Sequence, residues 1–287
     1  MADKQEPRYE KRLVLFLDVL GFSEIIDSTA KKPETLVKLI KALDELRGIH
    51  VDRSVLKRVT HFSDSIVVSY RIDKQAAAFS LLSGIAFGVI RMVEHGYLLR
   101  GAVTIGDLYH SKDHVVGPAM VKAYRMESKE ANYPRVIVDP QIFALARSNP
   151  GETNTPEQEE EHVRNYTTKD KDGRYFFDYV SWDSVVEVTG GENDRYPAYL
   201  KKLSRLIEAG LKHSDPHVKE KYLWLHPRYT DAIKLAEEVP ANSPYRLENP
   251  GWCEAIVRLP KLDKFARSAT GEVEAWKAKD RKKIDSK

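Results

Sequence analysis

The sequence predicts an α+β fold with a ferredoxin-like βαββαβ core, and three observations carry that prediction. Apolar, β-branched runs alternate with amphipathic segments in the order β, α, β, β, α, β between residues 12 and 109. Two of the runs, KRVTHF and SIVVSY, are separated only by Ser63 and Asp64, which makes them a hairpin even without an Asn-Gly or Asp-Gly turn. The chain has 287 residues, 42% of them apolar, enough to bury a sizeable core in one large domain or two smaller ones.

The first strand is RLVLFLDVLGF (12–22), a continuous apolar run broken by Asp18 and ended by Gly21, as suits a central strand covered on both faces. PETLVKLIKALDEL then places Leu36, Leu39, Ile40, Leu43 and Leu46 at helical spacing. After the hairpin, DKQAAAFSLLSGIAFGVIRMVEHG reads as a long buried helix stopped by Gly96. YLLRGAVTIGDLYH is a strand whose Gly101 and Gly106 suggest bends or close backbone approach. GPAMVKAYRMESKEA is a helix with Pro118 in its first turn, and RVIVD closes the unit as a short strand.

Beyond Pro140 the character changes, dividing the chain into a domain over 10–140 and a mainly helical extension over 141–287. SNPGETNTPEQEEEH (148–162) reads as an acidic mobile loop, FFDYVSW as a further strand, and residues 196–213 and 218–238 as amphipathic helices. Tyr196, Tyr199 and Trp224 on these helices fit core or interface positions. The closing KAKDRKKIDSK reads as a frayed charged tail.

Composition narrows the function. A net charge of +3 offers no broad electrostatic footprint for nucleic acid. The single Cys253 builds neither a disulfide nor a thiolate metal site, which fits a reducing compartment. MADKQEPRYEKR is too charged for a signal peptide, and QAAAFSLLSGIAFGVI is shorter than the roughly 20 residues of a membrane span, so the expected location is cytoplasmic with no membrane partner. There is no GxxxxGK[ST] loop and no Gly-Gly-Asp-Glu-Phe signature.

The strand order itself points to chemistry. A right-handed crossover makes the first two strands parallel, and the hairpin returns the third antiparallel beside the first. Asp18, at the C-terminal end of the first strand, then meets Asp64, at the N-terminal end of the third. Singly, each carboxylate fits a turn; together they offer the oxygen ligands that a pair of Mg²⁺ or Mn²⁺ ions prefers. His61 and His110 sit at strand ends and fit hydrogen-bonding or packing roles.

At these residues the sequence resembles a known family. FLDVLGFSEII resembles the F-x-D-[IV]-x-G-F opening of class III nucleotidyl cyclase catalytic domains, and HFSDSIVVSY the hairpin carrying that family's second metal-binding aspartate. RGAVTIGDLYH is similar to its R-x-G-[IV]-x-x-G strand, and VVGPAMVKAYRMES to its W-G-x-x-V-N-x-A-x-R helix, all four in family order over roughly residues 10–140. The wording from RGAVTIGDLYH to RVIVD is similar to the pyrimidine cyclases of bacterial Pycsar antiphage systems. The resemblance implies two divalent cations, Mn²⁺ or Mg²⁺, on Asp18, Asp64 and the Val19 carbonyl, and a catalytic Arg125 facing the α-phosphate. It implies a homodimer with each site at the subunit interface, and a cyclic nucleotide read by a separate effector. Phe22 falls on the motif's last aromatic and is expected to bind nucleotide. Where the family's helix holds a ribose-orienting Asn this chain has Val121, so the ribose is positioned differently.

The base-reading positions also depart from the purine cyclases. Four residues before the second aspartate stands Thr60, where adenylate cyclases have Lys and guanylate cyclases Glu, with Arg58 on the same strand face. His114 stands where adenylate cyclases have Asp. Uracil offers an O4 acceptor and cytosine an N4 donor, so the donor-only Arg58 favours UTP over CTP. The expected activity is conversion of UTP to cyclic UMP. A cytidylate cyclase is the alternative within the reaction, and an inactive nucleotide-sensing homologue the alternative outside it.

Overall fold

The computed structural model describes residues 6–47, 57–63, 65–191 and 193–285, so Asp64 lies outside the described residues. In chain order the first elements are β1 (Glu10–Val19), α1 (Phe22–Lys31), α2 (Pro33–Arg47), β2 (Lys57–Phe62), β3 (Ser65–Arg71) and α3 (Ala77–His95). They are followed by β4 (Leu99–His110), β5 (Val115–Val116), α4 (Pro118–Met126) and β6 (Val136–Val138), with a π-helical turn, Glu127–Ala131, after α4. Next come α5 (Gln141–Ser148), α6 (Pro156–Asn165), β7 (Thr167–Lys169) and β8 (Tyr175–Phe177). The sheet runs β2-β3-β1-β4-β6-β8-β7, with β5 paired to β4. Helices α7 (Trp182–Val188), α8 (Tyr196–Leu211), α9 (Pro216–Glu238), α10 (Pro244–Glu248), α11 (Pro250–Val257) and α12 (Asp263–Asp285) complete the described chain. The α+β class, the ferredoxin-like strand order and the mainly helical C-terminal region are as the sequence predicts.

The register assigns the side chains to faces. Opposite residues in antiparallel strands share a face, and here Val14 pairs with Ser69 and Thr104, Phe16 with Val67 and Ala102, and Asp18 with Ser65 and Arg100. Arg58 and Thr60, opposite Ser69 and Val67, join that face. Helix α4 lies over it, its Ala119 and Ala123 packed with Val14, Phe16, Val67 and Leu108. Two glycines allow the close packing. A Cβ on Gly101 would stand 2.5 Å from the Phe16 carbonyl oxygen, and one on Gly106 3.1 Å from the Ala119 Cβ, as the spacing in this strand suggests. The other face carries Leu13, Leu15, Leu17, Ile66 and Val68, all buried.

Helix α3 is 19 residues long and passes a length-and-hydropathy test for a membrane span, but 67% of that window is buried within the fold, and Leu82, Ile85 and Ile90 are core residues. Helix α2 forms where the periodicity puts it, but its buried side is Leu39, Ala42 and Leu46, and Leu36 and Ile40 stand exposed. The i, i+3, i+7 set faces inward, Leu43 is half-buried, and Leu36 and Ile40 are turned roughly 90–130° away from the buried side.

Three segments differ from expectation. The acidic stretch 148–162 is not a loop throughout: Thr155 and Gln158 form a reciprocal capping box that starts α6, and Val163 and Glu159 are buried. FFDYVSW yields only the end of β8, because Ser181 caps α7 and turns the chain into helix. The C-terminal tail is helical to Asp285, its helix anchored by Ala266, Ala269 and Val273 at i, i+3, i+7.

The chain forms two compact units, one up to Asp178 and one from Tyr179. Strands β7 and β8 continue the sheet of the first unit past the change in composition at Pro140. In the second, Tyr196 stacks between Tyr199 and Trp252, and the two tyrosine hydroxyls donate to the Val180 and Tyr179 carbonyls. These aromatics are core; Trp224 lies under the Arg228 guanidinium.

Candidate active site

Asp18 is the next-to-last residue of β1. Its Cα partners are Ser65 on β3 and Arg100 on β4, so the C-terminal end of β1 does lie beside the start of β3. Asp64 precedes Ser65 directly in the chain. Ser63, on the turn, takes a positive φ of 49°, as a two-residue hairpin connection requires. The Asp18 side chain is 21% exposed, and the Arg100 Nη2 stands 3.7 Å from its Oδ2. Arg100 is in turn paired with Glu127, a buried carboxylate on the π-helical turn. This pair ties the end of β1 to the segment that follows α4. Sequence reasoning missed both residues, although strand alternation from Asp18 puts Arg100 on its face.

The oxygen donors here are the Asp18 carboxylate and the backbone carbonyls at the end of β1, where Val19 is the last strand residue. Among the described residues no group of three His, Cys, Asp or Glu side chains is gathered for a metal. A carboxylate at an open sheet end suits a hard divalent cation whose remaining ligands come from a substrate or from water. Phe22, half-buried, opens α1 after Gly21, which takes the left-handed φ of 73° needed to turn from strand to helix.

Arg125 lies on α4 and is exposed. It lines a groove of about 640 Å³ with Pro118, Val121, Lys122, Asp139 and Tyr175, and Asp18 is not among the lining residues. The floor is rigid. Asp139 accepts hydrogen bonds from Lys122 Nζ (2.5 Å), Thr104 Oγ1 (2.7 Å) and the Gln141 N–H (3.0 Å), tying α4, β4 and α5 together. Burial pushes the Asp139 carboxyl up, but these three donors outweigh it and hold it below the usual carboxylate range. Phe16 meets Tyr124 edge-on at 5.8 Å, fixing the turn of helix before Arg125.

At the other end of the same face Arg58 is exposed and Thr60 half-buried. The Thr60 Oγ1 is 2.8 Å from the Nε2 of His110, whose Nδ1 is 2.8 Å from the Oγ of fully buried Ser69. Burial, then the Arg12 and Arg58 guanidinium groups, lower the His110 pKa to about 4, so the ring is neutral. His114 lies elsewhere, on the exposed turn after β4, lining a depression with Arg8, Tyr9, Tyr109 and Val116. Thr60 is therefore joined to His110 rather than to His114. Strand parity was the available signal for His110, since it shares the face of Leu108 and Gly106.

No family model and no curated protein matches the chain. Among solved structures, the chain is similar to the adenylyl cyclase CyaB from P. aeruginosa, at 17% identity over 50% of this chain and 84% of that one, with a TM-score of 0.37. It is also similar to the catalytic core of a rhodopsin-guanylyl cyclase with converted specificity in complex with ATPαS, at 16% identity over 60% and 98% of the two chains, with a TM-score of 0.41.

Proposed function

We propose that this chain is a nucleotidyl cyclase that converts UTP to 3′,5′-cyclic UMP and pyrophosphate. The observation that carries the reading is the register at the end of β1, which sets Asp18 opposite Ser65, the residue that follows Asp64 in the sequence. In the proposed reaction the ribose 3′-hydroxyl gives its proton to solvent water and attacks the α-phosphorus, and the bond from the α-phosphorus to the oxygen bridging to the β-phosphate breaks to release pyrophosphate. When bound, divalent cations, Mn²⁺ or Mg²⁺, would be held by Asp18, the Val19 carbonyl and Asp64 and would neutralise charge on the phosphates and the attacking oxygen. Arg125 meets the charge developing on the α-phosphate, a task suited to its permanently charged, forked guanidinium. Arg100, held by Glu127, keeps the Asp18 carboxylate in place. Phe22 and Arg58 contact the nucleotide. His114, exposed on its turn, contributes at the rim.

Asp18 is not among the residues that line the groove beside Arg125, and the resemblance to class III cyclases supports a homodimer in which each Arg125 completes the site of a second copy. The resemblance to pyrimidine cyclases supports a cytoplasmic role in which cyclic UMP alerts a separate effector during phage infection.

Purified chain incubated with Mn²⁺ and each of UTP, CTP, ATP and GTP tests the reading. Cyclic UMP and pyrophosphate are the expected products. Asp18→Ala and Asp64→Ala are expected to reduce turnover by more than about 100-fold with an unchanged circular-dichroism spectrum. Conversion of ATP alone, or unchanged turnover in both variants, overturns the reading; conversion of CTP alone replaces the substrate.

A further inference from the structure

A line of hydrogen bonds crosses the sheet face with one residue from each of four strands: Arg12 on β1, Ser69 on β3, His110 on β4 and Thr60 on β2. Its direction follows from its ends. Arg12 only donates; its Nη1 donates to Glu10 Oε2 (2.6 Å) and its Nε to Ser69 Oγ (2.8 Å). Ser69 is fully buried, and among the described residues its hydroxyl has one further partner, His110 Nδ1. A buried hydroxyl proton must be used, so Ser69 donates to Nδ1. A neutral imidazole that accepts at Nδ1 carries its proton on Nε2. Nε2–H therefore donates to Thr60 Oγ1, and the proton of Thr60 is left without an acceptor among the described residues.

We propose that Arg12, Ser69 and His110 form a relay of fixed hydrogen-bond polarity that makes Thr60 a donor toward the bound base, selecting a carbonyl edge and hence uracil over cytosine. The proposal rests on the cyclase reading above and assigns its specificity to residues beneath the contact surface. A free threonine hydroxyl can give or accept. Here inward donation is blocked, because the inner partner is itself a donor. A base that offers an amino group leaves the Thr60 proton unspent, whereas the uracil O4 accepts it. Arg58, two residues earlier on the same face and also donor-only, acts in the same sense. His110 is thus a positioning residue: it touches Thr60, and Thr60 rather than His110 meets the base.

The test has two arms on the full chain. In the first, the ¹⁵N shifts of the His110 ring nitrogens in the nucleotide-free protein report which nitrogen carries the proton. In the second, kcat/KM for UTP and CTP is compared in the wild type, Thr60→Val, Thr60→Ser and His110→Gln. A proton on Nε2 is expected, with a roughly tenfold fall in the UTP:CTP ratio for Thr60→Val. His110→Gln is expected to lower the ratio similarly, because its amide can turn a carbonyl toward Thr60. Thr60→Ser, which keeps the hydroxyl, is expected to keep the ratio within about twofold. A proton on Nδ1, or an unchanged ratio in Thr60→Val, overturns the relay. Absence of turnover with all four nucleotides overturns the reaction and with it the selection of uracil, and the ring-nitrogen shifts still decide the polarity.

Discussion

Two buried arginines in the first unit do opposite things with the same side chain. Arg135 is fully buried and closes on itself: its donors meet Asp170, Asp172, the Ala131 carbonyl and the Glu130 carbonyl. Arg12, 3% exposed, meets the Glu10 carboxylate and donates to the Ser69 hydroxyl and carbonyl. From there the polarity travels through His110 to a half-buried hydroxyl. Arg135 is a clamp between the β6 region and the turn before β8. Arg12 starts a line whose last member faces outward. Burial of a charge alone therefore does not separate a structural arginine from one that shapes a site; the end of its hydrogen-bond chain does.

Substitution at each end sharpens this contrast. The largest loss of stability is expected from Arg135→Leu, which strands the Asp170 carboxylate beside Asp172. Breaking a buried pair from one side costs about 3–5 kcal/mol. Chemical denaturation should show it, and a loss below about 1 kcal/mol would mean that the clamp relaxes or floods with water.

Acid should separate the two networks next. The folded His110 has its pKa lowered to about 4 from an ordinary 6.5, so between those values the unfolded chain binds the proton first. Stability from this group is complete above pH 6.5 and is lost as pH falls toward 4, by at most about 2 kcal/mol once partial solvation is discounted. Around Arg135 the loss comes later. Burial pushes the Asp172 carboxyl up, but Arg135 and the Arg174 N–H hold it below the usual carboxylate range, so its contribution disappears only in stronger acid. Urea midpoints measured from pH 7.5 to 3 should show the first loss, and His110→Gln should remove it. The smallest effect on stability is expected from Thr60→Val, under about 1 kcal/mol at a half-buried edge position. The same substitution has the larger effect on base selection, and a stability loss comparable to that of Arg135→Leu would make Thr60 a structural residue.

The strand order was legible because β-branched runs and crossover handedness leave few topologies, and Asp18 was legible because a carboxylate interrupts an apolar run. The acidic helix α6 was not. EQEEEH carries almost no apolar period, and the signal that starts it is the pair Thr155 and Gln158 rather than hydropathy. Helix α12 was hidden similarly, its inward side being two alanines and a valine among charges. Within the site, strand alternation reaches Arg100 and His110 once the register is known, but the sequence does not print the register. Glu127 was beyond reach, since it acts from a π-helical turn that follows a regular helix.

Among the described residues strand β2 stands at the edge of the sheet, paired on one side only, from Lys57 opposite Tyr70 to Phe62 opposite Ser65. A shift of one residue along that single ladder would turn Arg58 and Thr60 away and bring Val59 and His61 onto the face. Base choice is therefore stored in alignment as much as in identity. Point changes at these positions can retune it one hydrogen bond at a time, whereas a one-residue insertion or deletion within the strand would erase it. This edge can evolve by substitution but is closed to change in length.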